Sequence, residues 1–313
     1  MKNWNEIIEK TLWMGSSRCL FVSIIGEPNA GKSTLLNAIV GEKVSIVSHK
    51  AQTTRRKIRG IANFGDAQLV FTDTPGFCLN SRVRSSLDEV VSSNFWKSFR
   101  DSDLILLLID ATSKNQQSTF SFLEKIRGGS NSLAVAINKS DIAPKANLLK
   151  IANLLTNFDF IKRIFMISAK TNDGLQDLII FLIENTVEEP WYFEQNQTTD
   201  ADIKFMLSEI TREKLFLMLG QELPYSIYVE TEVFTETDKK ARIYQSIVVL
   251  RDSQKAIVLG HAGRMIKAIK DAAIVDMKKL LNDRKVDLRL FVKVREKWTE
   301  KKGYLQDAGI IDH

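Results

Sequence analysis

The sequence predicts an α/β fold, a doubly wound and mostly parallel sheet, followed by a smaller α+β domain. Three observations predict it. Between residues 18 and 187, short apolar runs alternate with longer amphipathic stretches: CLFVSII (19–25), AQLVFT (67–72), DLILLLID (103–110), SLAVAIN (132–138) and IFMIS (164–168). A polar stretch around Pro190 interrupts this pattern, and beyond it the periodicity changes to helix, strand, strand, helix, helix, strand. The length of 313 residues suits two domains at ~100–200 residues each.

Continuous apolar runs of strand length, separated by helical patterns, indicate parallel strands buried on both faces. A further, polar-edged strand is expected near 57–63, and the repeating strand–helix order makes the sheet doubly wound. Pro190 cannot continue the helix before it, and either Asp200 or Asp202 can cap the next one. Ile203–Leu219 then reads as an amphipathic helix ended by Gly220. YSIYVETEVF (225–234) and RIYQSIVVL (242–250) are rich in β-branched and aromatic residues and read as strands. A short helix over 255–259, a Gly-x-x-Gly turn, a helix over 264–281 and a strand VDLRLFVKV (286–294) complete the chain. The expected division is 18–188, a linker over 189–203, a second domain over 204–300 and a tail over 301–313.

Composition excludes several classes. Hydrophobic residues make up 44% and charged residues 26% of the chain, ordinary values for a globular protein and unlike a disordered one. The 15 glycines and 5 prolines rule out a collagen-like repeat. The strongly apolar run Leu104–Ile109 is far short of the ~20 residues that span a bilayer. The N-terminal MKNWNEIIEK has acidic residues and no apolar stretch of signal-peptide type. Cys19 and Cys78 are too few for a disulfide framework and read as reduced thiols of a cytosolic protein. Charge is uneven: residues 251–302 hold 15 basic and 7 acidic side chains, so the remainder carries −2 of the net +6. A basic segment on a near-neutral body suggests either an anionic partner or a solvated helix face.

In a doubly wound sheet, ligands bind beyond the carboxyl ends of the strands, and here those ends carry motifs. Gly26-Glu27-Pro28-Asn29-Ala30-Gly31-Lys32-Ser33-Thr34 fits G-x-x-x-x-G-K-[S/T], the phosphate-binding loop. Its glycines let backbone N–H groups turn inward around phosphates, and the following helix adds its positive N-terminal end. Lys32 is expected to reach the β- and γ-phosphates and Ser33 to ligate Mg²⁺. The next motif is Asp73-Thr74-Pro75-Gly76, where Asp73 suits Mg²⁺ through water and Gly76 offers an N–H to the γ-phosphate. Asn138-Lys139-Ser140-Asp141 ends the fifth run. The two acceptor oxygens of Asp141 match the adjacent N1–H and N2 amine of guanine, a pair that adenine lacks. Lys139 can cover one face of the base, and Asn138 can tie this loop to the phosphate loop. Ser168-Ala169-Lys170 follows the last strand, with the Ala169 N–H aimed at the guanine O6. Within Ala51-Gln52-Thr53-Thr54-Arg55-Arg56, a threonine, Thr54 in preference to Thr53, would complete the Mg²⁺ shell only when a γ-phosphate is present, making the segment a switch.

In the second half, Gly260-His261-Ala262-Gly263 between two helices, in an α-β-β-α-α-β order, fits a KH domain, whose GxxG loop clamps about four nucleotides of single-stranded backbone. His261-Ala262 is nearly neutral, so Arg264, Lys267, Lys270 and the helix terminus must attract the phosphates. Ile257, Ile266 and Ile269 are expected to pack the core.

These elements together resemble a GTPase G domain, and the whole chain resembles the bacterial Era family. The matching residues are GEPNAGKST (26–34), AQTTR (51–55), DTPG (73–76), NKSD (138–141), SAK (168–170), REKL (212–215), ELPYSI (222–227) and RDSQKAIVLGHAGRMIK (251–267). The resemblance implies a P-loop GTPase that uses GTP/GDP and Mg²⁺, binds small-subunit ribosomal RNA near its 3′ end, and assists assembly of the small ribosomal subunit. It implies a cytoplasmic monomer, with or without peripheral contact at the inner membrane. Asn29 matches a family pattern in which a P-loop asparagine helps hold a monovalent cation, K⁺. Catalytic residues are not assigned. Many GTPases place a water-orienting glutamine just after Asp-x-x-Gly, and that slot is Phe77 here. His49, His261 and His313 offer no placed general base. Two readings stay open: a slow GTP hydrolase acting on ribosomal RNA, and a nucleotide-gated RNA-binding module with negligible turnover.

Overall fold

The computed structural model describes residues 16–46, 58–73, 99–128, 132–220, 223, 227–296 and 298. His49, Thr53, Thr54, Thr74, Pro75, Gly76, Phe77, Cys78, His313 and the expected tail lie outside the described residues. The chain divides into two compact units whose main boundary falls between Asp200 and Ala201.

The first unit runs β1 (Arg18–Gly26), α1 (Lys32–Val40), β2 (Ile58–Phe64), β3 (Ala67–Asp73), β4 (Leu104–Asp110), α2 (Gln117–Ile126), β5 (Ser132–Asn138), α3 (Lys145–Leu155), β6 (Ile161–Met166), α4 (Leu175–Glu184) and a short β7 (Val187–Glu188). The sheet order is β2-β3-β1-β4-β5-β6, with β7 antiparallel on β1. All neighbours along the path are parallel except β2 and β3, which form a hairpin around Gly65 and Asp66. The continuous apolar runs have the expected cause. Leu104, Leu106 and Leu108 of β4 pack with α1 and α4 on one face. Ile105, Leu107 and Ile109 pack with α2 and α3 on the other. Each such side chain contributes roughly 1.5–3 kcal/mol when fully buried.

β6 departs from expectation. The strand lies at 161–166 rather than 164–168, and its Lys162 and Arg163 are exposed. It pairs only with β5, so it is an edge strand and needs no continuous apolar run.

The stretch read as linker is held to the first unit as far as Asp200. The buried Gln68 carboxamide accepts from the N–H groups of Tyr192 and Phe193 at 3.0 Å each and donates to the Phe193 carbonyl. Ile61 N–H donates to the Thr198 carbonyl, Gly60 bridges Thr199, and Arg59 pairs with Asp200. The contacts of Arg59, Gly60 and Ile61 cover the otherwise open edge of β2. Asp200 is thereby engaged, and Asp202 is the helix cap, accepting from Lys204 N–H at 2.7 Å.

The second unit comprises α5 (Ile203–Met218), β8 (Tyr228–Glu236), β9 (Lys240–Val249), α6 (Asp252–Leu259), a 3₁₀ turn (His261–Gly263), α7 (Arg264–Leu280) and β10 (Lys285–Val294). Its sheet order is β10-β9-β8, with β9–β10 parallel and β8–β9 antiparallel. Alternation along β10 puts Val286 and Leu288 against the helices and leaves the odd-numbered residues on the open face. Ile269 is buried and Ile266 packs against the core as expected, but Ile257 is 53% exposed. On the eight-residue α6 it is Val258 that faces inward. Among the described residues, no helix is long and apolar enough to cross a membrane.

Candidate functional site

The loop after β1 is shaped by close packing. A side chain at Gly26 would meet the Leu108 carbonyl of β4 at 2.4 Å. Asn29 and Gly31 have φ of 65° and 100°, and a Cβ at Gly31 would lie 2.3 Å from Asn138 Nδ2. Only glycine fits both constraints at Gly31. Ala30 is fully buried, Pro28 and Thr34 are partly buried, and Asn29 is exposed. Lys32 is buried at the start of α1, and its Nζ donates to the carbonyls of Gly26 and Glu27 at 3.0 and 2.9 Å. The ammonium thus sits across the loop, at the helix N-terminus where an anion is favoured.

Two strand ends converge on this loop. Ser33 Oγ donates to Asp73 Oδ2 at 2.8 Å, joining the phosphate loop to the end of β3. Ser45 Oγ donates to the same oxygen at 2.7 Å. This cluster of buried hard oxygens has the donor chemistry of a Mg²⁺ site that keeps most of its shell as water and phosphate. At the end of β5, Asn138 Nδ2 donates to the Ala30 carbonyl at 2.8 Å, and its Oδ1 accepts from Ala169 N–H at 2.9 Å. One buried side chain therefore ties the phosphate loop, the β5 end and the β6 end together. Ser168 is buried, Lys170 is exposed, and Ser168 N–H donates to Asp173.

The base-side loop is held by its backbone. Ser140 N–H donates to the Ile167 carbonyl at 3.1 Å, and Ala143 N–H to the Lys139 carbonyl at 2.9 Å. Asp141 is exposed there, its carboxylate spared for a ligand. Lys139, at φ 66°, makes an ion pair of 2.5 Å with Asp110. Asp110 is in turn fixed by the Thr112 N–H and hydroxyl at 2.8 and 2.6 Å. Sequence reasoning missed Asp110, although its place at the carboxyl end of β4 was the available signal. It also missed Ser45, which no motif marks. The Glu27 carboxylate accepts from the Ser118 hydroxyl of α2. Burial raises its pKa, a hydrogen bond from Thr119 opposes this, and Asp110 adds to the rise. Asn138→Ala should lower GTP affinity more than tenfold, because it orphans two buried groups at ~1–3 kcal/mol each. Unchanged affinity by calorimetry would remove Asn138 from the site.

The second unit carries a separate candidate site. The GxxG turn has Gly260, Ala262 and Gly263 at φ 69°, 53° and 73°. A Cβ at Gly260 would meet Met265 Cβ at 2.6 Å, whereas one at Gly263 would meet nothing within 4 Å. The first glycine is required by packing, and the second faces open space at the N-terminus of α7. His261 is exposed, and its Nδ1 lies 2.8 Å from the Arg264 guanidinium. A groove of about 530 Å³ between α7 and β10 is lined by Ile266, Lys267, Lys270, Arg289 and Phe291, among others. Arg289 and Phe291 were not singled out from the sequence; their alternation within VDLRLFVKV was the signal.

Comparisons with known proteins find relatives for both units of the chain. The family described as "50S ribosome-binding GTPase" matches residues 21–139, and the KH domain family matches residues 222–299. The chain is 44% identical over 291 residues to the GTPase Era of Mesorhizobium japonicum, covering 93% of each chain. It is 45% identical to the GTPase Era of Rhizobium meliloti, covering 94% of this chain and 93% of that one. Among solved structures, one of Era in complex with MgGDPNP and nucleotides 1506–1542 of 16S ribosomal RNA superposes with a TM-score of 0.87 at 32% identity. That match covers 94% of this chain and 99% of the other. A variant of Aquifex aeolicus Era bound to GDP·AlF₄⁻ gives the same TM-score and identity.

Proposed function

We propose, starting from the fact that this chain belongs to the Era family of GTPases, that it hydrolyses GTP as a switch on small-subunit ribosomal RNA and acts in small-subunit assembly. The observation that carries the proposal is the convergence of β1, β3, β5 and β6 on one loop, joined through Ser33, Asp73 and Asn138. Backbone N–H groups of 26–34 and Lys32 hold the phosphates, with Gly76 approaching the γ-phosphate. Ser33, Asp73 and Thr54 hold Mg²⁺, which when bound neutralises charge on the β- and γ-phosphate oxygens. Asn29 takes K⁺. Asp141 reads the guanine edge and Lys139 covers the base face, whereas the Ala169 N–H between Ser168 and Lys170, expected from the sequence to donate to O6, is taken up by Asn138 Oδ1 at 2.9 Å. Asp110 fixes the Lys139 stem, so the base platform is set before GTP arrives.

In the second unit, Gly260, His261, Ala262 and Gly263 clamp single-stranded RNA backbone. Arg264, Lys267 and Lys270 neutralise phosphates, and Phe291, 46% exposed in the groove, offers a face on which a base stacks. One chain carries both sites, and a monomer suffices.

Phe77 occupies the slot where many GTPases place a water-orienting glutamine, so intrinsic turnover is slow. The test is multiple-turnover phosphate release by the full chain with Mg²⁺ and GTP, with and without purified small-subunit ribosomal RNA. Slow release that RNA changes is the expected result. Turnover indifferent to RNA would separate the two activities and sink the switch.

A further inference from the structure

The open face of the second unit's sheet, opposite its helices, enters the function described above only at its β10 edge, through Phe291. Strand register places Val233, Tyr244 and Arg289 in one row across β8, β9 and β10. The row below holds Thr235, Arg242 and Asp287, and Lys240 pairs in register with Lys285. The Arg289 guanidinium lies 5.1 Å from the centroid of the Tyr244 ring, and the rings of Tyr244 and Phe291 meet edge to face at 6.5 Å. The carboxylates of the face are matched, Asp287 by Lys240, Glu232 by Lys293 and Glu230 by Arg295. Its positive surplus is carried by Arg242, Lys285 and Arg289, all exposed. Arg289 and Phe291 also line the groove on the other side of β10. The basic, aromatic face is thus continuous with the groove around the edge strand.

We propose that this face is a second contact surface for single-stranded RNA, taking nucleotides that leave the GxxG groove over β10. The inference rests on the groove reading given under the proposed function. Its chemistry is that of single-strand binders: cations that follow a phosphate backbone, beside an aromatic ring on which any base can stack. Tyr244, braced by Arg289, is the stacking platform, and Arg242 and Lys285 are the phosphate contacts. A lipid surface would use the charge but has no need of a braced tyrosine.

The test uses the full chain with mixed-sequence single-stranded oligoribonucleotides of four and ten residues, followed by fluorescence anisotropy. The ten-mer is expected to bind the parent about tenfold or more tighter than the four-mer, with a steeper salt dependence. Tyr244→Ala and Arg242→Ala should each cut that length advantage while leaving the four-mer affinity alone, and Tyr244→Phe should retain it. Arg242 is fully on the surface, so its variant keeps the test valid if Tyr244→Ala fails to fold. Ten-mer binding unchanged in both variants overturns the proposal. Loss of four-mer binding in the parent, with ten-mer binding still sensitive to Tyr244, overturns the groove reading and leaves the face standing. If neither oligonucleotide binds, both fall. If phosphatidylglycerol vesicles sediment the parent but not Arg242→Ala, while RNA binding is the same in both, the face is a lipid surface and the proposal is wrong.

Discussion

Asp141→Asn should lower GTP affinity at least tenfold and raise affinity for xanthosine triphosphate. The carboxylate presents two acceptors to the two adjacent donors of guanine. An amide replaces one acceptor with a donor, which then faces a donor and leaves both unpaired in the site. Such mismatches cost ~1–3 kcal/mol each, and 1.4 kcal/mol is about a factor of ten. Xanthine carries a carbonyl where guanine carries the amine, so the new donor finds an acceptor there. The loop itself should survive the change. It is held by Ser140 N–H on Ile167 and Ala143 N–H on Lys139, not by the Asp141 carboxylate. A change in nucleotide preference is therefore separable from a change in fold. Titration calorimetry with both nucleotides decides it: unchanged GTP binding removes Asp141 from the base site.

What was legible in the sequence depended on how many neighbours each element has. β4 is flanked by β1 and β5 and covered by helices on both faces, so every side chain from Leu104 to Ile109 is buried and the run is unbroken. β6 pairs on one side only, its apolar signal is thin, and its position shifted by three residues at the N-terminal end. The segment after Pro190 looked like a linker because its residues are polar. Yet it is fixed largely through main-chain hydrogen bonds, to the Gln68 side chain of β3 and to the edge of β2, a role that hydrophobic periodicity cannot report.

The same distinction runs through the candidate sites. Residues within a motif were legible because phosphate and guanine chemistry restricts residue type at fixed spacing. Asp110 and Ser45 reach the site by folding alone, each from an element with no motif of its own. Arg289 and Phe291 were hidden for a related reason. The RNA reading began from the GxxG turn, and β10 joins that turn in space through its place beside α7. Ile257 shows the reverse error: an isoleucine near a turn reads as core, but a two-turn helix buries only Val258.

Gly263→Asp should abolish single-stranded RNA binding while leaving the second unit folded, and the two glycines of the turn explain why it is the informative variant. At Gly260 an added Cβ would meet Met265 at 2.6 Å, so substitution there disturbs packing and loss of binding would prove little. At Gly263 an added Cβ meets nothing within 4 Å. Its φ of 73° is left-handed, a region that aspartate enters more readily than most residues. The fold therefore tolerates the change at a cost of about 1 kcal/mol. The ligand does not, because a carboxylate now stands at the N-terminus of α7, where a phosphate must sit close to the backbone. In the parent, about four neutralised phosphates give a slope of log K against log salt near −3, at ~0.7 per phosphate for single strands. His261→Lys should add a charge beside Arg264 and tighten binding modestly for every sequence. Circular dichroism establishes that Gly263→Asp is folded, and anisotropy against a single-stranded oligoribonucleotide reads its binding. If the folded variant binds as the parent does, the GxxG turn is a helix connector, and the positive charge of residues 251–302 is a solvated surface.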